Sequence, residues 1–394
     1  MGSSNRTARV LACLMAVCCL SWVAFAHAGP EKQEVYWAGF AYTGEASARA
    51  EAVPYSADLL ADGGMELNAR LLEVLRRRAP SHITLIEGDL AKLDGSTSAT
   101  VVAAALDREL VSVEPIGSQY KVLVELSLQA LFFDFRERQV IAAYPMTLQR
   151  IDLMDRQPTP AELEAIVHEL AHGAADTDLP QVLARSLSDA RLPNAATRRL
   201  QVGTLTLADA ARQKLPNAAA ESLVRATLAH ELTKTIAANA GIALLPPATG
   251  EAIGGTMATR FADGRVYQLT IPDADYLVEV QVEDWRSGVI SETAAMKQIL
   301  FGAFFKITVT EPHSGTVFFE QPLRKGATKV VPATQEHVDR WSASYDTLLA
   351  GFDSFAKAAT AQPGHREWLG EQKPGGRALQ QHTKALQELI QSCR

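Results

Sequence analysis

Residues 120–128 read Tyr-Lys-Val-Leu-Val-Glu-Leu-Ser-Leu, and this stretch decides how the chain divides into elements. Its apolar side chains recur at every second position, which predicts a β-strand. A polar turn at 134–138 and a second strand-like run at 139–148 follow, so the sequence predicts a hairpin here. Residues 275–282, Asp-Tyr-Leu-Val-Glu-Val-Gln-Val, repeat the pattern of the first strand later in the chain.

The segments around these two strands come in the same order, so we expect the same sequence of helices and strands to occur twice in the chain. In the first half, apolar periodicity predicts a strand at 35–40, a helix at 56–78, a short strand at 83–86, a helix-like stretch at 99–106 and a closing helix at 160–175. In the second half, the corresponding segments are 200–205, 220–240, 242–245 and 334–359. This order predicts mixed sheets with helices on one or both faces.

The predicted fold class is therefore α/β (α+β with mixed sheets), built from two tandem related modules of two or three layers. We place the first module at 29–192 and the second at 193–360, because a polar linker with Pro193 lies between them. Residues 361–394 begin with a Pro-, Gly- and charge-rich stretch and predict a flexible C-terminal tail with one short helix.

The first residues predict export. Arg6 and Arg9 precede an apolar run at 10–25 that ends in Ala26-His27-Ala28, and a basic start, an apolar run and a small-x-small end define a secretory signal peptide. We predict that residues 1–28 are removed by cleavage near Ala28 and that the mature chain is periplasmic or secreted. The run is shorter than the ~20 apolar residues of a membrane span, and no later stretch is longer, so no transmembrane segment is expected in the mature chain.

Charge and cysteine content limit the partners and the means of stabilisation. The chain has 45 acidic residues against 38 Lys and Arg, and nucleic-acid binding needs clustered cations, so no nucleic acid is expected as a partner. Cleavage of the signal would remove Cys13, Cys18 and Cys19 and leave Cys393. One thiol forms no internal disulfide, so the fold depends on its apolar core.

Four stretches carry a resemblance to a known family: Trp37-Ala38-Gly39-Phe40, residues 120–128, residues 275–278 and residues 304–309. An extended strand with Gly-Phe near its end, a helix, a short strand and a paired strand with a Tyr and alternating Val resemble the amino-terminal domain of the periplasmic translocation protein TolB. The curli-secretion lipoprotein CsgG has a similar domain. The resemblance implies a role in envelope assembly, outer-membrane transport or protein docking, without a catalytic centre. The β-propeller of TolB and the membrane-inserting hairpins of the curli protein have no counterpart in this sequence.

One motif points to a different class of function. His168-Glu169-Leu170-Ala171-His172 matches H-E-x-x-H. On a helix, residues four apart share a face, so both imidazoles could bind one Zn²⁺ while Glu169 acts as general base on a metal-bound water.

A catalytic zinc site needs a third protein ligand, and Asp178 is the best candidate, with Asp176 behind it. The spacing of one zinc-peptidase class would place a glycine at position 175, where this sequence has Ala175. The same helix also has an apolar stripe that leaves both histidines on the opposite side, as in an ordinary solvated helix. His230-Glu231 begins a similar motif, but Lys234 occupies the position of the second histidine, and we expect an exposed helical pair there.

Two hypotheses follow. The first is a non-enzymatic envelope protein that needs no cofactor and binds a partner protein or envelope component through sheet edges or the groove between the modules. The second is a zinc metallopeptidase with His168, His172 and Asp178 as metal ligands and Glu169 as catalytic base.

Overall fold

The structure is a computed structural model. It describes residues 32–44, 52–60, 64–88, 93, 99–194, 196–215, 221–248, 256–261, 264–335, 338–372 and 377–394. The predicted signal peptide, residues 1–28, lies outside the described residues. No helix in the described ranges combines the length and the apolar character that a membrane span requires.

A mixed sheet of seven strands forms the first half of the fold. The strands are β1 (Gln33–Thr43), β2 (Ile83–Ile86), β3 (Thr100–Ile116), β4 (Gln119–Asp134), β5 (Gln139–Met154), β7 (Thr256–Phe261) and β8 (Val266–Thr270), in the order β2-β1-β3-β4-β5-β8-β7. β1 runs parallel to β3, and β3, β4 and β5 form an antiparallel meander. The alternating stretch 120–128 is the centre of β4.

The second sheet repeats this arrangement. It contains β6 (Leu200–Leu207), β9 (Tyr276–Glu292), β10 (Met296–Glu311) and β11 (Thr316–Pro332), in the order β11-β10-β9-β6. β6 runs parallel to β9, and β9, β10 and β11 form the meander. A parallel bridge between Gln201 and Leu245 occupies the place that β2 has beside β1. The α/β class and the two related mixed sheets predicted from the sequence are therefore present.

The hairpin β7–β8 crosses from one module to the other. It follows the long helix Glu221–Ala240 of the second module in the chain, yet β8 pairs with β5 and β7 pairs with β1 of the first sheet. Six strands consequently form a closed circuit of hydrogen-bonded neighbours, in the order β1, β3, β4, β5, β8 and β7. A boundary near residue 193 assigns this hairpin to the second module by sequence, whereas its pairing belongs to the first sheet.

Helices pack against both sheets. The helices are α1 (Met65–Arg77), α2 (Pro160–His172), α3 (Leu179–Ser188), α4 (Asp209–Arg212), α5 (Glu221–Ala240), α6 (Arg340–Ala359), α7 (His365–Glu371) and α8 (Arg377–Ser392). Leucines and other apolar residues of α1, α2 and α3 form one core with the even-numbered side chains of β4, such as Leu126 and Leu128. Residues of α5, α6 and α8 form the other core with β6, β9 and β10.

The opposite face of the first sheet changes character along β4. Leu131 and Phe133 are fully buried in a third apolar cluster, together with Met257 and Leu269 of the hairpin β7–β8. Towards the N-terminal end of β4, the same face carries the buried polar residues Glu125, Ser127 and Gln129. This polar part faces α5, and 12 of the 20 residues of α5 are buried because the helix contacts both sheets.

Three segments differ from the sequence-based expectation. The helix predicted at 56–78 begins only at Met65 as α1, and residues 56–60 form turns. Residues 99–106, predicted to be helix-like, belong to strand β3, where Val101 to Leu106 are fully buried. Small alanine side chains fit a strand that is covered on both faces, so tertiary packing overrides their helix propensity.

Residues 361–394, predicted to be a flexible tail with one short helix, contain α7 and the 16-residue helix α8. Leu386, Leu389 and Ile390 of α8 are buried against the second sheet's core. Cys393 is buried as well, and this burial raises the pKa of its thiol to about 12.

A bulge in β1 depends on Gly39. Its φ is +85°, which an L side chain rarely adopts, and a Cβ there would lie 2.7 Å from Oδ1 of Asn68 on α1. The same Oδ1 accepts a 2.7 Å hydrogen bond from the backbone N–H of Phe40. The bulge therefore lets α1 approach the strand closely enough to satisfy one of its backbone donors.

Candidate functional site

The H-E-x-x-H motif lies on α2, as its spacing predicts. The helix begins with a capping box in which Thr159 and Glu162 bind each other's backbone N–H groups, with Pro160 in the first turn. Leu163, Ile166, Val167, Leu170 and Ala171 are its buried residues. His168 and His172 lie outside this buried face and are partly exposed.

The two histidines stack on each other. Their ring centroids are 5.6 Å apart and their planes differ by 11°. Nε2 of His168 lies 2.9 Å and 3.0 Å from the two carboxylate oxygens of Asp58, and Nδ1 of His172 lies 3.2 Å from the carbonyl oxygen of His168. Each ring therefore already has a hydrogen-bond partner in the protein.

The other predicted site residues are held elsewhere. Glu169 is exposed and forms an ion pair with Arg150 of β5. Asp178 is buried in the turn between α2 and α3, where its Oδ2 accepts a 2.7 Å hydrogen bond from the N–H of Ala175. A Cβ on Gly173 would lie 2.0 Å from the same oxygen, so the glycine leaves the space that the carboxylate fills.

Among the described residues, one group of three metal-ligating side chains has its ligand atoms within 4.8 Å of one another, and it consists of Asp58, Glu164 and His168. His168 belongs to it, whereas His172 and Asp178 do not. Asp58 and Glu164 are exposed, and the contact between His168 and Asp58 is an ordinary hydrogen bond with a carboxylate. The structure thus brings His168 and His172 together but does not add Asp178 to them.

A second polar cluster lies between α5 and the first sheet. His230 and Glu231, expected from the sequence to be exposed, are only 5% and 6% exposed. The expectation is wrong because α5 is enclosed by both sheets, which its own sequence pattern does not reveal. Nε2 of His230 donates to the carbonyl oxygen of Met146 at 3.1 Å, and burial lowers the pKa of His230 to about 4, so the ring is neutral at pH 7.

Glu231 extends this cluster. One of its oxygens accepts hydrogen bonds from Thr147 of β5 at 2.7 Å and from Lys234 at 2.6 Å. Lys234 also reaches Thr147 Oγ1 at 3.0 Å. The side chains of α5 that resembled the start of a metal motif therefore join the two modules through polar contacts.

An open groove follows the linker between the modules. Its cavity of about 450 Å³ is lined by residues of β5, the linker, the start of β6, the end of α5 and the end of α8. Ile141, Tyr144, Leu192 and Ile242 contribute an apolar wall. Its volume lies within the ~300–1,000 Å³ that is usual for ligand sites.

The rim of the groove is cationic. Among the described residues that line it, Arg191, Arg198, Arg199 and Arg394 carry guanidinium groups and no Asp or Glu is present. Arg198 forms a 2.8 Å ion pair with Asp275, while Nε of Arg191 lies 3.3 Å from Nε2 of His82. Sequence reasoning missed this site, because its arginines come from both modules and the chain as a whole is acidic.

Comparisons with known proteins do not identify a family. No family model and no curated protein matches the chain. Among solved structures, a minor lipoprotein from Acinetobacter baumannii matches 41% of this chain and 98% of its own length, with 18% identity and a TM-score of 0.24. A PelC dodecamer from Paraburkholderia phytofirmans matches 40% of this chain and 86% of its own, with 13% identity and a TM-score of 0.18.

A third structure, described as a homolog of a neuraminyllactose-binding hemagglutinin from Helicobacter pylori, matches 45% of this chain and 95% of its own, with 8% identity and a TM-score of 0.24. Each match thus spans less than half of the chain. At these scores the likenesses carry no argument about function.

Proposed function

We propose that the chain is a non-enzymatic protein of the cell envelope, exported by its N-terminal signal, that binds an acidic segment of a partner protein in the groove between its modules. The groove is the observation that supports this proposal most directly. It combines arginine side chains with an apolar wall, and guanidinium groups bind carboxylates in a bidentate manner.

Both modules contribute to this groove. Tyr144 of β5 lies on one side, where its hydroxyl and the backbone N–H of Arg191 are 2.8 Å apart, and Ile242 and Leu200 of the second module lie on the other. A partner bound there would contact both modules at once. On this proposal, the two modules are needed together because each supplies one side of the binding site.

The β11 edge of the second sheet offers less to a partner. The edge strand β11 carries Lys325, Lys329 and Pro332, and lysine and proline on an edge strand oppose the addition of a further strand. Its N–H at Arg324 already donates to Gln372 at 2.8 Å. The groove is therefore the better of the two surfaces for docking.

The proposal is tested by site-specific photo-crosslinking in the native cell. A crosslinking side chain at Thr197, which lines the groove, is expected to capture a protein that the same side chain at Met65, 72% exposed on α1, does not. Arg191→Glu and Arg199→Glu should abolish that product, because they place negative charge opposite an acidic segment. Arg136→Glu, on the exposed β4–β5 turn, is the matched charge reversal and should leave the product unchanged. Equal capture at both positions, or capture that survives reversal in the groove, would refute the proposal.

The contacts of α2 give the zinc-peptidase hypothesis less support. Its proposed base, Glu169, is bound to Arg150, and its proposed third ligand, Asp178, is part of the α2–α3 turn. The direct test is the metal content of the purified mature protein, and on our proposal it contains no stoichiometric zinc.

A further inference from the structure

Glu125 presents an unusual buried carboxyl group. It lies in the middle of β4 and is 4% exposed. Its Oε2 accepts a 3.1 Å hydrogen bond from Gln149 of β5, but its Oε1 is buried and lacks a hydrogen-bond partner among the described residues. A buried carboxylate oxygen without a partner is costly in its charged form.

The charged groups facing Glu125 come from the second module. Glu231 and Lys234 act on it from α5, and its neighbours in the sheet are the neutral Gln149 on β5 and Leu110 on β3. Because Lys234 is bound to Glu231 at 2.6 Å, the nearest cation is already engaged by the other carboxylate. With both glutamates ionised, this buried interface would hold two negative charges and one positive charge.

A hydroxyl group from α6 completes the cluster. The hydroxyl oxygen of Tyr345 is also buried without a hydrogen-bond partner in the described part of the chain. Burial raises the pKa of Tyr345 most, and the negative charges of Glu125, Glu231 and Asp346 raise it further, in that order. Glu125 Oε1 from the first module and the Tyr345 hydroxyl from the second are thus two buried polar atoms without a hydrogen-bond partner among the described residues.

We propose that this cluster is a proton-binding site between the modules: a proton on Glu125 removes one of the two buried negative charges at the contact, and loss of that proton loosens α5 and α6 from the first sheet. No other co-reactant is needed, because the proton is exchanged with solvent. The proposal concerns a different site from the groove and does not depend on what the groove binds.

The electrostatics agree with this geometry. Burial, followed by repulsion from Glu231, raises the pKa of Glu125 to about 7 from an ordinary value near 4.5. The folded state therefore holds a proton that the unfolded chain releases, so stability is greatest at mildly acidic pH and is lost as the pH rises from about 4.5 to 7. His230 on α5 acts in the opposite direction because its pKa is lowered, so the contribution of Glu125 has to be isolated by a variant.

Glu125→Gln is the variant that isolates it, since the amide keeps the shape and cannot ionise. Urea unfolding at pH 5 and pH 8 is expected to show that the unfolding equilibrium constant rises on the order of 50- to 100-fold more in the wild-type protein than in the variant. A difference below about threefold would overturn the proposal.

Hydrogen exchange separates a contact between modules from a local effect. Amides of β4 and α6 should exchange faster at pH 8 than at pH 6, after correction for intrinsic rates, in the wild-type protein but not in Glu125→Gln. Glu109→Gln is the matched control: Glu109 is also buried with a raised pKa, but its partners are Ser56 and the Tyr55 N–H within the first module. In Glu109→Gln the amides of α6 should still exchange faster at pH 8 than at pH 6, as in the wild type. The same pH dependence in Glu125→Gln would refute the proposal.

Discussion

Replacing Gly39 by alanine should be among the most destabilising single-methyl additions in the molecule. At φ +85° an L residue costs about 1–2 kcal/mol in backbone strain. The new Cβ would lie 2.7 Å from Oδ1 and 2.9 Å from Cγ of Asn68, so the amide must move and its hydrogen bond to the Phe40 N–H is lost. An unpartnered buried N–H costs about 1–3 kcal/mol more, which brings the expected total loss to ~2–5 kcal/mol.

Two further variants divide this loss into its parts. Gly117→Ala is the matched control, because Gly117 has φ +63° with nothing within 4 Å of an added Cβ, so it should show the strain alone, about 1 kcal/mol. Asn68→Ala removes the hydrogen bond and the obstructing amide together. In that background Gly39→Ala should cost only about 1–2 kcal/mol, since the collision has gone.

The assay is urea unfolding followed by tryptophan fluorescence and circular dichroism, with the four proteins of the Gly39/Asn68 cycle and the Gly117 control compared under one set of conditions. A coupling energy below about 0.5 kcal/mol, or a cost for Gly39→Ala no greater than that for Gly117→Ala, would refute the reasoning.

Three other predictions concern the motif helix, the buried histidine and the thiol. Asp178→Ala should lower the free energy of unfolding by about 1–3 kcal/mol, because it leaves the Ala175 N–H without its acceptor. The control Asp176→Ala, at an 85% exposed side chain, should cost less than ~0.5 kcal/mol. Similar costs for the two variants, or a loss of bound zinc with Asp178→Ala, would contradict the structural role given to Asp178. In the wild type, lowering the pH from 6.5 to 4 should cost up to about 3 kcal/mol of stability, because the unfolded chain binds a proton that the buried His230 ring, with its lowered pKa, does not. His230→Gln should reduce this loss. Thermal melts in which the variant is as acid-sensitive as the wild type would count against the prediction. Cys393 of the mature protein should react with a thiol reagent at least ~10-fold faster in urea than in the native state, because burial raises its pKa and blocks access; equal rates would show that α8 is not docked.

Much of the architecture can be predicted from local pattern. Alternation at 120–128 and 275–282 marks strands β4 and β9, and the stripe of leucines around Leu71 marks α1. These signals work because each element buries one face, so its own period of two or 3.6 records the burial. They fail for Val101 to Leu106, whose strand is covered on both faces and whose alanines resemble a helix.

The functional residues were harder to predict, for a physical reason. The H-E-x-x-H spacing correctly places His168 and His172 on one helix, but spacing within a helix carries no information about what faces them, here Asp58 from another segment. The hydrogen-bond partners Thr147 and Glu231 are 84 residues apart in sequence and meet only because α5 packs against the first sheet. Contacts of this kind depend on the arrangement of modules, which no local period encodes.

The crossing hairpin β7–β8 also sets the order in which the molecule can assemble. Leu131 and Phe133 of the first sheet are buried by the hairpin β7–β8, which ends at residue 270. Until the chain has been synthesised to that residue, these side chains remain exposed to water and to other chains. Closing this circuit is a contact of long sequence separation, which slows folding and prolongs the time in which apolar strands are vulnerable to aggregation. The N-terminal half, produced by itself, should therefore be a poor independent folder, even though it contains a complete copy of the repeated plan.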